Sequence, residues 1–544
     1  MMKLVLASGL LAAGLVSAQA PVSFDRIQNS SKEPQNWLTY SGNVLGQRYS
    51  ELTQITPANV KNMEMQWAFQ ARSTEKFETT PLVVDGVMYI TEAPNDVIAL
   101  DAATGKTYWV YSYAPSTDSR PCCGRVNRGV AILGDTLFMA TLDSHLVAID
   151  ATNGHPIWNT EVASAKAGYA MTLAPLVVKD KVIVGVAGGE YGIRGFVAAY
   201  DAKTGKEAWK FYTIPGPGEP GHESWAGDTW KHGGAPVWVT GSYDSTTNLT
   251  YWGVGNPGPD YHGNDRSGDN LYSDCVVALD ADTGKLKWYF QFTPHDVYDY
   301  DAVQIPVLAD MDWKGKQRKI MLWANRNGFY YALDRTTGEF LNGKPFSTVT
   351  WATGLDERGR PMRVAANNPA TAGPVTYPGP IGATNWYSPS YSPRTGLFYI
   401  PSWDNYHAQY VDAPVEFVEG RNYMGGSGRS ALPSPLRAPQ TIRHKQEDGY
   451  GSVRAIDPKT GERKWEFKMA DVTSSGILTT ATDLLFTGSR EGNFSALDAR
   501  DGKLLWNIST GGEIAMGPMT YRVNGKQYIT FAAGSSLFTF ALRQ

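Results

Sequence analysis

One spacing, repeated along almost the whole chain, restricts its fold more than any other feature. Ala-x-Asp is followed four residues later by Gly, and four residues after that by Trp. The pattern stands at Asp101-Gly105-Trp109, Asp150-Gly154-Trp158, Asp201-Gly205-Trp209, Asp280-Gly284-Trp288, Asp457-Gly461-Trp465 and Asp498-Gly502-Trp506. A degenerate copy, Asp334-Gly338, keeps the turn and lacks the Trp. Each copy reads as strand, tight turn, strand: Asp bonds the turn amides with its own side chain, and Gly supplies a positive φ. A second hairpin precedes most copies, seen most plainly at residues 81–90, with Asp85-Gly86 as its turn. Each unit is therefore four antiparallel strands, the blade of a β-propeller.

Seven units are complete and the eighth is divided between the two ends of the chain. Residues 519–523, 527–532 and 537–542 give three strands, and residues 63–69, carrying Trp67, give the fourth. Joining both ends in one blade closes the ring and removes free sheet edges. The expected fold is an all-β, eight-bladed propeller occupying residues 19–544 as one domain, with an open or seven-bladed array as the alternative. Asp334 and Asp457 are 123 residues apart. That interval holds its blade's first hairpin (388–403) and then a Pro-, Gly- and Arg-rich insertion over 405–448, expected to cover one face of the ring.

Charged residues make up 19% of the 544 and hydrophobic residues 42%, so a large core is available and disorder is not expected. A net charge of −4 points away from nucleic acid and anionic membrane surfaces as partners. Lys3, an apolar run over residues 4–16 and the small residues Val16-Ser17-Ala18 read as an export signal cleaved after residue 18, with Ala18-Gln19-Ala20 as a second cleavage option. The run is short for a membrane span of ~20 residues, and no later stretch is apolar enough to be a transmembrane segment. The signal predicts a periplasmic location.

There are three cysteines and no C-x-x-C-H, so no covalently attached haem is expected on this chain. Cys275 lies in a strand-like run and reads as a buried thiol. Cys122 and Cys123 are adjacent. Neighbouring Cα atoms lie ~3.8 Å apart, below the usual disulfide range of ~4.4–6.8 Å. The pair is thus either two independent thiols or a strained eight-membered ring of the kind found at functional sites.

The segment from Arg120 to Val130 (Arg-Pro-Cys-Cys-Gly-Arg-Val-Asn-Arg-Gly-Val) closely resembles the vicinal-disulfide segment of the methanol and ethanol dehydrogenases that depend on pyrroloquinoline quinone (PQQ). Residues 188–195, with Gly188, Gly189 and Glu190, resemble that family's glutamate metal-ligand loop. Residues 233–238 resemble its quinone-stacking Trp segment, Gly255-Asn256-Pro257 its asparagine ligand, residues 293–301 its catalytic aspartate segment, and Asn325-Arg326-Asn327-Gly328 its quinone-contacting arginine. The motifs follow in the family's order over nearly the whole mature chain.

The resemblance implies a quinoprotein alcohol dehydrogenase with a Cys122–Cys123 disulfide on one face of PQQ and Trp238 on the other. Arg128 and Arg326 would meet the quinone's carboxylates, as the rigid guanidinium fork suits, and Glu78, Thr172, Gly188, Gly189 and Asn385 would lie near the cofactor. Position 187 is Ala where methanol dehydrogenases often have Ser. Glu190, Asn256 and Asp299 would hold a hard cation, and Asp299 would also act as general base. Residues two apart on an extended segment point the same way, so Asp301 is expected to face the same ion. Three carboxylates beside a quinone carboxylate favour a trivalent ion, and Asp-Tyr-Asp resembles the family's lanthanide-dependent branch. A lanthanide is the expected metal, with Ca2+ as the alternative.

The implied reaction is oxidation of primary alcohols to aldehydes, with a soluble c-type cytochrome as the separate electron acceptor and a homodimer left open. A quinoprotein for sugars or polyols, and a non-catalytic scaffold propeller of the outer-membrane assembly type, are the competing readings. The scaffold proteins share the repeat but need neither metal ligands nor paired cysteines.

Overall fold

The hydrogen bonds of the first repeat show why the spacing folds as it does. In the computed structural model, Asp101 Oδ1 accepts the amides of Ala103 (2.8 Å) and Thr104 (3.0 Å), and the Gly105 amide donates to the Asp101 carbonyl (2.8 Å). Gly105 has φ +74°, open to glycine at no steric cost. Across the hairpin Ala99 stands opposite Trp109, a small residue beside a large ring. The same pairing recurs at Ala148–Trp158, Ala199–Trp209, Ala278–Trp288, Ala455–Trp465 and Ala496–Trp506.

Five of these indoles then dock on the turn of the next repeat. The rings of Trp109, Trp158, Trp209, Trp288 and Trp465 lie on Gly154, Gly205, Gly284, Gly338 and Gly502, where a Cβ would come within 2.4–2.7 Å of the ring. Their Nε1 atoms donate to the carbonyls of Ala151, Ala202, Ala281, Arg335 and Ala499 at 3.1–3.2 Å. The repeat is thus an interlock between neighbouring units, and truncating one such indole costs about 3–5 kcal/mol. Where the degenerate copy lacks its Trp, the Lys344 side chain covers Gly461 instead, 3.2 Å from where a Cβ would stand.

The structure describes residues 21–430 and 449–543; the expected export signal (1–18) and residues 431–448 of the insertion lie outside them. Among the described residues, seven sheets have four antiparallel strands; Leu82–Val84, Val87–Glu92, Asp96–Asp101 and Thr107–Tyr111 form one of them. An eighth has four such strands plus Tyr49–Ser50, which lies parallel to Ile477–Thr480. The architecture is an all-β propeller of four-stranded sheets. The strand Met63–Gln70 pairs with Ser536–Leu542, which pairs with Lys526–Ala533 and through it with Met519–Val523. Trp67 on that N-terminal strand sits over Gly105 and donates to the Ala102 carbonyl at 3.3 Å, so the interlock runs from the split sheet into the first one. Cys275 is a buried free thiol.

Two strands of the insertion, Ala408–Asp412 and Gly426–Ser430, form a small sheet with Val375–Thr376. Its intervening loop crosses the Glu190 turn. Phe417 stacks on His232 with centroids 3.4 Å apart, and the Tyr423 amide donates to the Glu190 carbonyl at 2.7 Å.

A buried ion pair ties this region to the neighbouring strands. Arg454 donates to Asp404, whose Oδ1 also accepts Ser347 Oγ (2.9 Å) and the Thr348 amide (3.0 Å). Burial alone raises the Asp404 carboxyl, but Arg454 and these donors hold it well below the usual carboxylate range. Asp404→Asn is expected to lower stability by about 2 kcal/mol at neutral pH, because it removes one of the two carboxylates on a buried guanidinium, the other being Glu466 Oε1 at 2.7 Å. A depressed folded-state pKa stabilises above the unfolded value of ~3.9 and is lost as pH falls through the folded one. The gap between native and variant melting temperatures should therefore persist at pH 6–8 and close in acid; a gap independent of pH refutes the ion-pair account.

Candidate functional site

The site residues come from two kinds of position. Glu78, Arg128, Thr172, Trp238 and Asn385 stand a few residues before the first strand of a sheet, namely Leu82–Val84, Ala131–Leu133, Leu176–Val178, Ser242–Asp244 and Ser390–Ser392. Asp299 and Asp301 stand likewise before Val307–Trp313. Glu190, Asn256 and Arg326 follow the second strand, namely Lys181–Gly185, Leu249–Gly253 and Lys316–Ala324. Loops at one end of successive sheets thereby converge on one cavity, of about 1010 Å³ including its open mouth.

Glu78, Cys122, Cys123, Arg128, Thr172, Gly188, Glu190, Trp238, Asp299, Asp301, Arg326 and Asn385 all line the cavity. Gly189 and Asn256 stand behind the lining: a Cβ on Gly189 would lie 3.6 Å from Asn256 Oδ1 and 3.1 Å from Pro236. Cys122 and Cys123 are joined in a disulfide with Cα atoms 3.8 Å apart, and Cys122 Sγ lies 2.9 Å from Glu190 Oε1. The oxidised pair offers no thiolate, so the nearby carboxylate carries the negative charge of that corner.

Asp301 is a hub. Its Oδ1 accepts the Asn256 amide (2.8 Å), and its Oδ2 accepts Trp238 Nε1 (3.2 Å) and Arg326 Nη1 (2.5 Å). Arg326 Nη2 reaches Asp299 Oδ1 at 3.3 Å and also donates to the Pro380 carbonyl, while Tyr261 Oη donates to Asp299 Oδ2 at 3.3 Å. The two aspartates do converge, but not by strand alternation. Asp299 has φ +63°, and the buried Asp296 carboxylate accepts the Tyr298 (2.9 Å) and Tyr300 (2.7 Å) amides, curling the segment into a turn. A turn, not extended backbone, brings Asp299 and Asp301 to one guanidinium.

Arg128 is bound by Glu78 (2.8 Å) and Thr172 Oγ1 (2.8 Å), with its guanidinium 5.1 Å from the Trp238 ring centre and 4.7 Å from that of Trp386. Asn385 is engaged locally, donating to the Ile381 carbonyl (2.8 Å) and accepting the Trp386 amide (2.8 Å). Sequence reasoning missed Trp386, Lys76, Tyr387 and Ser474, which also line the cavity. Ser474 stands just before the strand Ile477–Thr480, the same offset as the other site residues, and that offset was the signal available.

Acid dominates the electrostatics. Burial raises the Glu190 carboxyl to about 7, with the Asp301 charge adding to the shift. Burial also raises Asp299 well above its ordinary value, Arg326 opposing and Asp301 and Glu190 reinforcing. Beneath them Asp260 and Asp274 are wholly buried, and none of their four carboxylate oxygens has a hydrogen-bond partner among the described residues. Such buried acids call for a cation or for protons. The Nε atoms of Arg128 and Arg326, also buried, have no partner among the described residues either. Unused guanidinium donors and a carboxylate cluster fit an anionic planar cofactor beside a hard cation.

Comparison with known proteins agrees. A family model for the glucose/ethanol/alcohol dehydrogenase β-propeller domain matches residues 37–346, and one for outer membrane protein assembly factor BamB matches residues 449–539. The quinoprotein alcohol dehydrogenase PedH of Pseudomonas putida is 39% identical, over 97% of this chain and 90% of PedH. The quinohemoprotein alcohol dehydrogenase of Comamonas testosteroni is 36% identical, over 96% of this chain and 76% of its own length. Among solved structures, quinohemoprotein alcohol dehydrogenase ADHIIG of Pseudomonas putida superposes with a TM-score of 0.89 at 35% identity, covering 97% of this chain and 83% of that one. A europium-containing methanol dehydrogenase gives 0.85 at 32% identity, covering 95% and 100%. Fold and site together define a propeller oxidoreductase of the dehydrogenase class. Within that class the chain belongs to the PQQ-dependent quinoprotein alcohol dehydrogenases.

Proposed function

We propose that the protein oxidises primary alcohols to aldehydes in the periplasm, using PQQ and one hard cation, and passes the electrons to a separate c-type cytochrome. The observation that carries this reading is the convergence of Glu190, Asp299, Asp301, Arg326, Trp238 and the Cys122–Cys123 disulfide on one cavity. The eight sheets are read as eight blades of a ring closed by pairing of Met63–Gln70 with Ser536–Leu542. When bound, PQQ supplies the acceptor for a hydride equivalent from the alcohol carbon. Trp238 covers one face and the disulfide the other. Arg128 and Arg326 meet the anionic edge, with Glu78, Thr172 and Asn385 fixing Arg128 and the floor around it; Gly188 and Gly189 leave room for close backbone approach. Glu190, Asn256, Asp299 and Asp301 hold the cation, and Asp299 takes the alcohol proton. Asp299 suits that role because burial raises its proton affinity and its side chain is still open to the cavity.

A lanthanide is the preferred cation, on the strength of carboxylate count. The europium-containing methanol dehydrogenase among the similar structures supports it. Purified protein reconstituted with PQQ should oxidise short primary alcohols with an artificial dye, faster with La3+ than with Ca2+. Absence of PQQ uptake, or turnover confined to sugars and polyols, sinks the reading. Asp301→Ala should abolish lanthanide-supported turnover; undiminished rates would remove Asp301 from the metal shell. The export signal and the cytochrome are tested by periplasmic fractionation and by electron transfer to purified soluble cytochromes c.

A further inference from the structure

The loop over residues 413–425 reaches two of the acids assigned to the cation from outside the cavity. Its neck is closed: the Ala413 amide donates to the Gly425 carbonyl (3.0 Å), and Asp412, paired with Gly426 in the small sheet, meets His262 Nδ1 through Oδ1. Glu416, Val418, Glu419, Arg421 and Asn422 are exposed, so the loop has no core of its own. Phe417 and Tyr423 turn inward, and both rings lie on Gly192, where a Cβ would come within 2.9–3.0 Å of them. The Phe417 ring is fixed in turn by its stack on His232 and by an edge-on contact with Tyr423, centroids 5.6 Å apart. The Tyr423 amide donates to the Glu190 carbonyl (2.7 Å), and the carbonyl of the next residue, Met424, accepts the Tyr261 amide (2.9 Å). Tyr261 Oη donates to Asp299 Oδ2 (3.3 Å). Two consecutive loop residues thus hold two acids that are far apart in sequence. Glu190 needs such support. It stands in a short turn, Gly189–Tyr191, between Gly188 (φ +117°) and Gly192 (φ +64°). Glycine on both sides leaves that backbone many conformations, which outside contacts must narrow.

We propose that the loop over residues 413–425 is a template that sets the spacing of Glu190 and Asp299 before the cation binds, with Phe417 and Tyr261 as its positioning residues. The inference rests on the metal-dependent reading above. Carboxylates already fixed at the right spacing bind a cation more tightly than carboxylates that must be ordered by it, because their conformational freedom is lost in folding and not in binding. The template has two arms. Phe417 is wedged between Gly192 and His232, so its ring steadies the Glu190 turn. Tyr261, hung from Met424, steadies the Asp299 carboxylate through its hydroxyl. Neither residue lines the cavity, so both act through the ligands they hold.

The probe is La3+, titrated calorimetrically into the PQQ-loaded protein, with turnover measured across the same cation range. Phe417→Ala should weaken La3+ binding by about 10–100-fold, the cost of removing a residue that orients a metal ligand. Its kcat at saturating La3+ should return close to native, because the bound cation gathers the same ligands. Phe417→Tyr keeps the ring and should restore the affinity. Tyr261→Phe loses only the hydroxyl on Asp299 and should weaken La3+ binding in the same direction. Val418→Ala, on the same loop but 56% exposed, should bind La3+ as the native protein does. Native affinity in Phe417→Ala would overturn the proposal, as would a loss of turnover that saturating La3+ does not repair, which is the mark of a damaged fold or a misplaced base. If Phe417→Ala does not fold, Tyr261→Phe decides, and native affinity there overturns the template. If the native protein takes up neither PQQ nor cation, the proposed function fails; if it takes up both and the variants bind normally, only this positioning assignment fails.

Discussion

Asp299→Asn should yield a folded, cofactor-binding protein whose kcat for alcohol oxidation is down about 1,000-fold or more. General-base removal costs ~10²–10⁴-fold, and here the same side chain also gives oxygen to the cation in our reading. Stability should not suffer. Asp299 is pressed by burial and by the charges of Asp301 and Glu190, so a neutral amide relieves repulsion while keeping a carbonyl oxygen for Tyr261. Calorimetry and steady-state rates on the same preparation check this. A variant within about tenfold of native kcat would move the base elsewhere, and one that fails to fold would make Asp299 structural.

The second large effect belongs to Arg326→Met. Arg326 is 4% exposed and pairs with both Asp301 and Asp299, and its buried Nε has no partner among the described residues. Its loss leaves buried carboxylates uncompensated, a change that costs about 3–5 kcal/mol. PQQ uptake should fall with it, because the anionic edge loses a guanidinium. Burial already raises Asp299 and Glu190, and Arg326 opposes both shifts. Without it the folded-state pKa values rise further. A carboxyl raised on folding binds its proton in the native state after the unfolded chain has lost it, so stability falls as pH climbs above ~4. The variant's melting temperature should therefore drop more steeply than native between pH 5 and pH 8. Parallel pH profiles would mean that Arg326 contributes packing, not charge.

The fold was legible because its determinants are local and repeated. Asp101 and Gly105 make their turn with neighbours two to four residues away, and the same chemistry recurs in every copy. That Trp109 would rest on Gly154, and not within its own hairpin, needed coordinates. The site was legible through resemblance: single residues such as Thr172 or Asn385 carry no signal of their own, and only the ordered set points to a cofactor. Asp260 was invisible because an acid after Gly-Pro reads as an ordinary turn residue. The turn conformation at Asp299 escaped for a related reason, since Asp296 draws the Tyr298 and Tyr300 amides inward where an extended run had been expected.

The pairing of Met63–Gln70 with Ser536–Leu542 bears on how this protein comes into being. During synthesis the early strand emerges hundreds of residues before its partner and waits with one edge exposed. The last contact to form spans almost the full chain, the kind of long-range closure that slows folding. Until residues 536–542 are made, the edge of Met63–Gln70 has no partner strand. A premature stop near the C-terminus would therefore leave an early strand as unsupported as the loss of that strand would leave the last one.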